Sequence, residues 1–414
     1  MKPLKLRLAL LLVSFYIITG NIPRFITIEG FRDNLLITEA LIYVTIIFYA
    51  VLSRDFLTVF IRTSLIYIII FLSFIYGFIL NGFDVKAYMY SIRLGLMIFS
   101  GILAGVLLYR RYKDNFIEGL KFILNTYLIL VSLGYLIYLI FPQSAEFWSF
   151  LKRYGIEFQG DPHRHRFVST YFDPNFFAVI AGIPFLICVH LLSVLREKKY
   201  VVYLLLIIGS IFLTGSRSGV VAFLILVSAL FLKDLMKKPF VSKYSVKIFA
   251  VLVFLTLVIS PIYWDNLKKM FGRLWNMSTD PSAMHRLESF LFGLEFILDR
   301  PLMGLGYNYL AVHMGDAGLR LNSVDSSVLS LLINFGLIFT CLLIVMFFVW
   351  ANVTYRRHKD DAVKQKLFTS FIIYIAITVA FSSNFNNVLF YQFWLFPCVM
   401  IGSYLTKYRG VGPS

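Results

Sequence analysis

Residues 170–232 read TYFDPNFFAVIAGIPFLICVHLLSVLREKKYVVYLLLIIGSIFLTGSRSGVVAFLILVSALFL. Three apolar runs, at 170–195, 200–214 and 218–232, are separated by two short polar interruptions. One is Arg196-Glu197-Lys198-Lys199; the other is Thr214-Gly215-Ser216-Arg217-Ser218-Gly219. A helix needs about 17–25 largely apolar residues to cross the hydrocarbon core, so this stretch reads as three passes joined by tight turns. The pattern continues on both sides, at 4–22, 35–53, 63–80, 88–109, 120–141, 248–264, 326–351, 367–382 and 388–406. The run Leu4–Ile22 follows Lys2 like a signal peptide, but it has no small-residue cleavage site and reads as a true span.

Composition agrees. The 414 residues are 59% hydrophobic and 15% charged, with a mean hydropathy of +0.79. That leaves too little polar surface for a soluble protein of this length. The expected fold is therefore an all-α integral membrane protein of about 12 spans, one polytopic domain over 1–414. A net charge of +17 would suggest nucleic acid in a soluble protein, but here the cations fall in short blocks between apolar runs, so no nucleic-acid partner is expected. Cys188, Cys341 and Cys398 lie within apolar spans and imply neither a disulfide framework nor a metal site.

The basic blocks alternate. Arg110-Arg111-Tyr112-Lys113, Arg196 to Lys199, Lys233 with Lys237 and Lys238, and Arg356-Arg357-His358-Lys359 group with Lys2, Lys5, Arg7, Arg54, Arg62, Lys407 and Arg409. The connections between them, 23–34, 81–87, 215–217 and 383–387, carry few cations. The positive-inside rule then places both termini in the cytoplasm.

Two outer connections are too long for turns: a first periplasmic loop at 142–169 and a second at 265–325. The second holds a helical pattern over Ala283–Asp299. Leu287, Phe290, Leu291, Leu294, Ile297 and Leu298 recur at three-to-four spacing, and Glu288, Glu295 and Asp299 lie off that face. Asp280-Pro281 is a start signal. Such an amphipathic helix lies in the interface or covers a cavity, and the loop looks like a lid.

The chemistry-bearing residues cluster on this outer side. Asp161-Pro162-His163-Arg164-His165-Arg166 leads into Asp173-Pro174-Asn175, where a helix begins. Asp173 reads as an N-cap, and cations beside a helix N-terminus suit an anion. Arg217 occupies a minimal outer hairpin flanked by glycine and serine, which let a ligand approach closely. The alternative for Arg217 is snorkelling to lipid head groups. Arg286 opens the amphipathic helix, and Pro301-Leu302-Met303-Gly304-Leu305-Gly306-Tyr307 follows it; those glycines read equally well as a simple helix terminator. Asn322-Ser323-Val324-Asp325-Ser326-Ser327 precedes the next span. There Asp325 or Ser326 reads as a cap, or Asp325 as a carboxylate whose desolvation prepares it as a base. Arg93 is the ionisable group deep within a span and should face the bundle interior. Asn384, Asn386 and Asn387 in the last outer turn read as helix caps.

With these residues laid out, roughly 166–340 resembles the O-antigen ligase and polymerase superfamily of bacterial envelope glycosyltransferases. Arg166 through Asp173-Pro174-Asn175-Phe176-Phe177-Ala178, Thr214 to Gly219, Arg286 through Pro301-Leu302-Met303-Gly304-Leu305-Gly306, and Asp325-Ser326 with Gly336 are similar to its elements in order. The first 140 residues carry no comparable motif. The resemblance implies a large glycosyltransferase of GT-C type in the bacterial inner membrane, with a periplasmic cavity closed by the long loops. Its substrates would be undecaprenyl-pyrophosphate-linked oligosaccharides, handled without a nucleotide sugar, cofactor or catalytic metal. Membrane lipids and a chain-length regulator are the other implied partners. Where ligases acting on lipid A–core typically carry histidine at the start of the terminal signature, this chain has Asp325-Ser326, which looks more like the polymerases.

The reading that follows is a polymerase. Arg217 and Arg286 would clamp the departing pyrophosphate, assisted by Arg166 or Arg164, because a guanidinium fork matches phosphate oxygens. Asp325 would take the acceptor's proton, and His165, Asn175, Tyr307 and Asn322 are candidate substrate contacts. A ligase is the rival within this class. A lipid-linked oligosaccharide transporter is the rival outside it, although a carrier would place polar groups at the midplane and show repeated halves.

Overall fold

The computed structural model describes residues 3–20, 22, 43–48, 51, 56–112, 115–141, 144–153, 166–237, 281–317, 324, 326–357 and 362–381. The expected spans at 248–264 and 388–406, most of 35–53, the turn 383–387, and Arg164, His165, Asn322 and Asp325 lie outside these residues. Every regular element described is a helix. They are α1 Pro3–Thr19, α2 Phe56–Asn81, α3 Val85–Arg111, α4 Phe116–Ile140, α5 Ser144–Lys152, α6 Pro174–Leu195, α7 Lys199–Leu213, α8 Arg217–Lys237, α9 Pro281–Asp299, α10 Tyr309–Asp316, α11 Ser327–Arg357 and α12 Ala362–Phe381. Among them, α2, α3, α4, α6 and α11 contain segments long and apolar enough to cross a membrane, and shorter apolar helices lie within α1, α7 and α8.

Local chemistry sets the boundaries. Asp84 caps α3 by accepting from the Ala87 N–H, and Asn115 caps α4 by accepting from the Glu118 N–H. Asp173 caps α6 as expected, accepting from the N–H groups of Asn175 at 2.7 Å and Phe176 at 3.1 Å, with Pro174 in the first turn. Helix α6 is the centre of the bundle: its apolar stretch is 78% buried, against 28% for α2. Helices α4, α7, α8 and α12 surround it. Gly182 lets the last of these close in, since a Cβ there would lie 2.2 Å from the Tyr374 hydroxyl, which donates to the Val179 carbonyl. Exposed side chains on α2 such as Ile61, Ile68, Phe71 and Ile79 form an apolar outer surface suited to lipid.

The bundle has two chemically different ends. At one end, Glu118 and Lys121 of α4, Glu197 and Lys199 before and in α7, and Lys364 of α12 over the Phe116 ring gather near the basic connections. At the other end, two irregular segments are drawn down among the helices. Residues 166–173 are stitched to α1, α4 and α7: Thr170 and Tyr171 donate to the Ile18 and Ile17 carbonyls, Ser169 to the Leu130 carbonyl, and the Phe167 N–H to Leu213. Leu130 is ten residues before the end of α4, so the segment is recessed by about 15 Å. Backbone of this kind is tolerated at such depth only where protein or a cavity surrounds it.

The second recessed segment is 301–308. It crosses α11 where that helix breaks at Gly336 (φ +64°, ψ −178°). The break frees backbone groups, and the segment satisfies them. Leu305 and Gly306 N–H donate to Ile333 and Asn334 carbonyls, while Leu337 and Ile338 N–H donate to Pro301 and Leu302 carbonyls. The apolar run at 326–351 reads as one continuous helix; the single glycine hides a discontinuity repaired by a partner about 30 residues earlier.

Candidate functional site

Arg166 joins two of the motifs. Its Nε donates to the Thr214 carbonyl at 2.6 Å, and its Nη2 to Asn175 Oδ1 at 3.4 Å. Thus a residue in the recessed segment, the second residue of α6 and the turn between α7 and α8 form one polar node. The turn is internally fixed. Thr214 Oγ1 donates to the Ile211 carbonyl at the end of α7 and accepts from the Ser216 N–H. Gly215 takes a left-handed φ of +57°, and Ser216 caps α8 by accepting from the Gly219 N–H. Gly219 permits close packing, because its Cβ would lie 2.4 Å from that of Ala178 on α6. Arg217 is therefore held at the first position of α8, where the helix dipole favours negative charge. Nearby, Ser169 (φ +51°) and Phe172 (φ +60°) are non-glycine residues in the left-handed region, a strain that the surrounding hydrogen bonds hold in place.

Around the second recessed segment lies a different group. Ser73 Oγ donates to the Asn334 carbonyl, and Asn334 Oδ1 accepts from the Asn308 N–H. Asn81, at the end of α2, donates through Nδ2 to the carbonyls of both Gly77 and Leu305. With both amide hydrogens used, its Oδ1 is an acceptor, so His313 Nε2, 3.1 Å away, is the donor. His313 is thus the Nε2–H tautomer, with Nδ1 as its remaining polar atom. Its ring packs on Phe296, with centroids 5.2 Å apart. Burial holds the imidazole below its ordinary pKa; Arg300 pushes the same way and Asp316 opposes. Among the described residues, Arg300 Nη1 is buried without a hydrogen-bond partner.

The expected site residues fall unevenly. Arg166 and Asn175 are brought together, with Arg166 spending donors on protein acceptors. Arg217 and Arg286 are described by backbone alone, one opening α8 and the other in the second turn of α9. The cap of α11 is Ser326, whose Oγ accepts from the Leu329 N–H, so capping makes no demand on Asp325. Tyr307 is 1% exposed with its ring on Phe335, a core position that could meet a sugar only by leaving its packing. The glycines after α9 do more than terminate a helix. A Cβ on Gly304 would lie 2.5 Å from the Ile333 carbonyl oxygen, and one on Gly306 would lie 2.4 Å from Gly77 Cα. Helix α9 also packs by an unexpected face. Gly293 is buried against Val324 and Ile333, Phe292, Phe296 and Ile297 pack on the same cluster, and Ser289 is buried, whereas Leu287, Phe290, Leu291 and Leu298 are exposed. Arg93 is buried within α3 beside Tyr90, as expected for a cation facing the interior. Asn81 and His313 carry no sequence motif, and Arg300 lies within the stretch Arg286 to Gly306 without having been singled out there.

A comparison with curated proteins found no match. Residues 202–344 match the family model described as O-antigen ligase. The matched stretch runs from α7 through the Thr214–Gly219 turn, α9 and the backbone crossing into the broken helix α11, so each of these features falls inside it. Over residues 202–344, the chain is similar to the O-antigen ligase family.

Proposed function

We propose that the protein is a polysaccharide polymerase that joins undecaprenyl-pyrophosphate-linked oligosaccharide units. A hydroxyl of one lipid-linked unit attacks the anomeric carbon of the glycan on a second carrier, the C–O bond to pyrophosphate breaks, and the pyrophosphate leaves on its lipid. Arg217 and Arg286 stabilise the charge that develops on the leaving group. Asp325 accepts the hydroxyl proton. Arg166 assists by holding the Thr214–Arg217 turn against Asn175. Arg164, His165 and Asn322 complete the candidate contacts.

The observation that carries this reading is the Arg166 node, which gathers the motifs at 166–175 and 214–217 into one recessed polar locus. The low cation density of the short connections at that end, set against the basic opposite end, supports a periplasmic locus with cytoplasmic termini and an inner-membrane location. The superfamily match supports lipid-linked glycan chemistry. It also favours the ligase as a second reading, since the matching model is described by that activity. The acidic Asp325 in place of histidine favours the polymerase. Purified protein given lipid-linked repeat units alone separates them. A polymerase builds a ladder of products, a ligase needs a lipid A–core acceptor, and a transporter makes no new bond. Absence of a ladder, with transfer appearing on addition of lipid A–core, would replace this reading by the ligase.

A further inference from the structure

We infer that Arg300 and His313 form a second oxyanion subsite, of phosphate class, at the end of α2, separate from the Arg217 turn. Its source in catalysis, the diphosphate of a lipid-linked unit, rests on the reading above; the subsite itself rests on geometry. Arg300 directly follows α9, and its backbone is fixed at both ends: its N–H donates to the Phe296 carbonyl and its own carbonyl accepts from the Gly304 N–H. The side chain is differently placed. Nη1 is shut away from solvent with no acceptor among the described residues, while the residue as a whole stays half-exposed. Among the described residues no carboxylate pairs with it. A guanidinium nitrogen so placed is an unmet demand for a charged acceptor, and oxyanions meet it with short, charge-assisted bonds.

The surroundings are built rather than incidental. His313 is oriented by Asn81 and packed on Phe296, leaving Nδ1 as its free polar edge. Phe296 links the two, its carbonyl accepting from the Arg300 N–H and its ring lying 5.2 Å from that of His313, and the Arg300 charge disfavours protonation of that ring. An oxyanion between the two relieves this repulsion and gains a second donor at Nδ1 when His313 is charged. Tyr309 Oη, donating to the Gly82 carbonyl, closes α10 onto the same helix end. Asp316 is the acidic neighbour of His313 and sets an upper bound on how strongly the pocket attracts anions. A polymerisation joins two lipid-linked diphosphates, and one arginine pair is occupied by the leaving group. A second cationic pocket is what holds the other partner.

The test uses the full-length protein in phosphatidylcholine nanodiscs, with the histidine ring resonances observed and His313 assigned through His313→Gln. Added inorganic pyrophosphate should shift the His313 signals saturably, and Arg300→Gln should weaken the apparent affinity at least about tenfold. Arg300→Lys, which keeps charge without the fork, should fall between. Thermal unfolding checks that each variant is intact, and if Arg300→Gln does not fold the lysine variant carries the comparison. A shift already present in phosphatidylglycerol nanodiscs without pyrophosphate assigns the pocket to lipid head groups; a shift needing pyrophosphate assigns it to the carrier diphosphate. No shift with either source, or unchanged affinity in the arginine variants, overturns the subsite. Ladder formation is scored separately. A chain that responds at His313 but makes no ladder keeps the subsite and loses the polymerase reading, and the converse does the reverse.

Discussion

Replacing Gly306 with alanine tests whether the backbone crossing at the broken helix is structural. Two terms act there. Gly306 has φ +93°, outside the range that L-residues adopt comfortably, which costs a Cβ-bearing residue about 1–2 kcal/mol. Its Cβ would also lie 2.4 Å from Gly77 Cα, 2.9 Å from Gly77 N and 2.9 Å from the Ser73 carbonyl oxygen. These are backbone atoms of α2, so no side chain can rotate away and the helix itself must move. Overpacking of this kind costs about 1–3 kcal/mol. Moving α2 also lengthens the Asn81–Leu305 and Ser73–Asn334 bonds, so the total is about 2–5 kcal/mol. Gly82 is the control: it has φ +79° with nothing within 4 Å of its Cβ position, so Gly82→Ala carries only the conformational term, about 1–2 kcal/mol. Denaturation of both variants in mixed micelles, followed by helical circular dichroism, measures the difference. Equal destabilisation by the two substitutions would refute the crossing as drawn.

Other substitutions separate chemistry from packing. Arg217→Ala and Arg286→Ala, in protein that inserts and unfolds normally, should each abolish polymer; normal ladders from both would remove the clamp. Asp325→Asn should suppress turnover while leaving unfolding unchanged, because Ser326 supplies the cap of α11; full activity would exclude it as the base. Arg166→Ala should lower turnover by roughly tenfold to a hundredfold, the loss expected from about 1.5–3 kcal/mol for bonds from a charged donor, and Arg166→Lys should restore part of it by reaching one acceptor. His313 gives a pH effect of defined sign. Its folded-state pKa is lowered, so the unfolded chain takes up the proton first as pH falls. Stability is full above about pH 6.5 and declines as pH drops through the lowered value, and the decline should be smaller in His313→Gln.

Much of the frame was readable from the chain. Apolar runs end where charges begin, so the expected 120–141 and 200–214 differ little from Phe116–Ile140 and Lys199–Leu213. The Asp173-Pro174 start of α6 is local chemistry, and local chemistry is what a sequence displays. Three features were not readable, each because its cause lies far along the chain. The break in α11 is stabilised by residues 301–306, so nothing near Gly336 announces it. Arg166 finds its acceptor 48 positions away, and His313 finds Asn81 across 232. The packed face of α9 was hidden for another reason. Hydrophobic spacing marks the faces that avoid water, and in a membrane protein lipid satisfies an apolar face as well as the protein core does.

That reversal of α9 bears on how the site works. Gly293 lies against Val324 and Ile333 with Phe292, Phe296 and Ile297 on the same cluster, while Leu287, Leu291 and Leu298 are exposed, as are Glu288, Glu295 and Asp299. A helix with one packed side and an exposed apolar side edged by acids is suited to the boundary between bundle, lipid and water. The chain leaving α9 is then clamped within seven residues by the crossing at Gly304 and Gly306, which also orders Asn334 and the end of α2. The helix carrying Arg286 is therefore anchored at its far end by backbone bonds between residues 301–306 and α11. The described part of the loop expected to act as a lid, α9 and the crossing after it, is thus joined to α11 by backbone bonds.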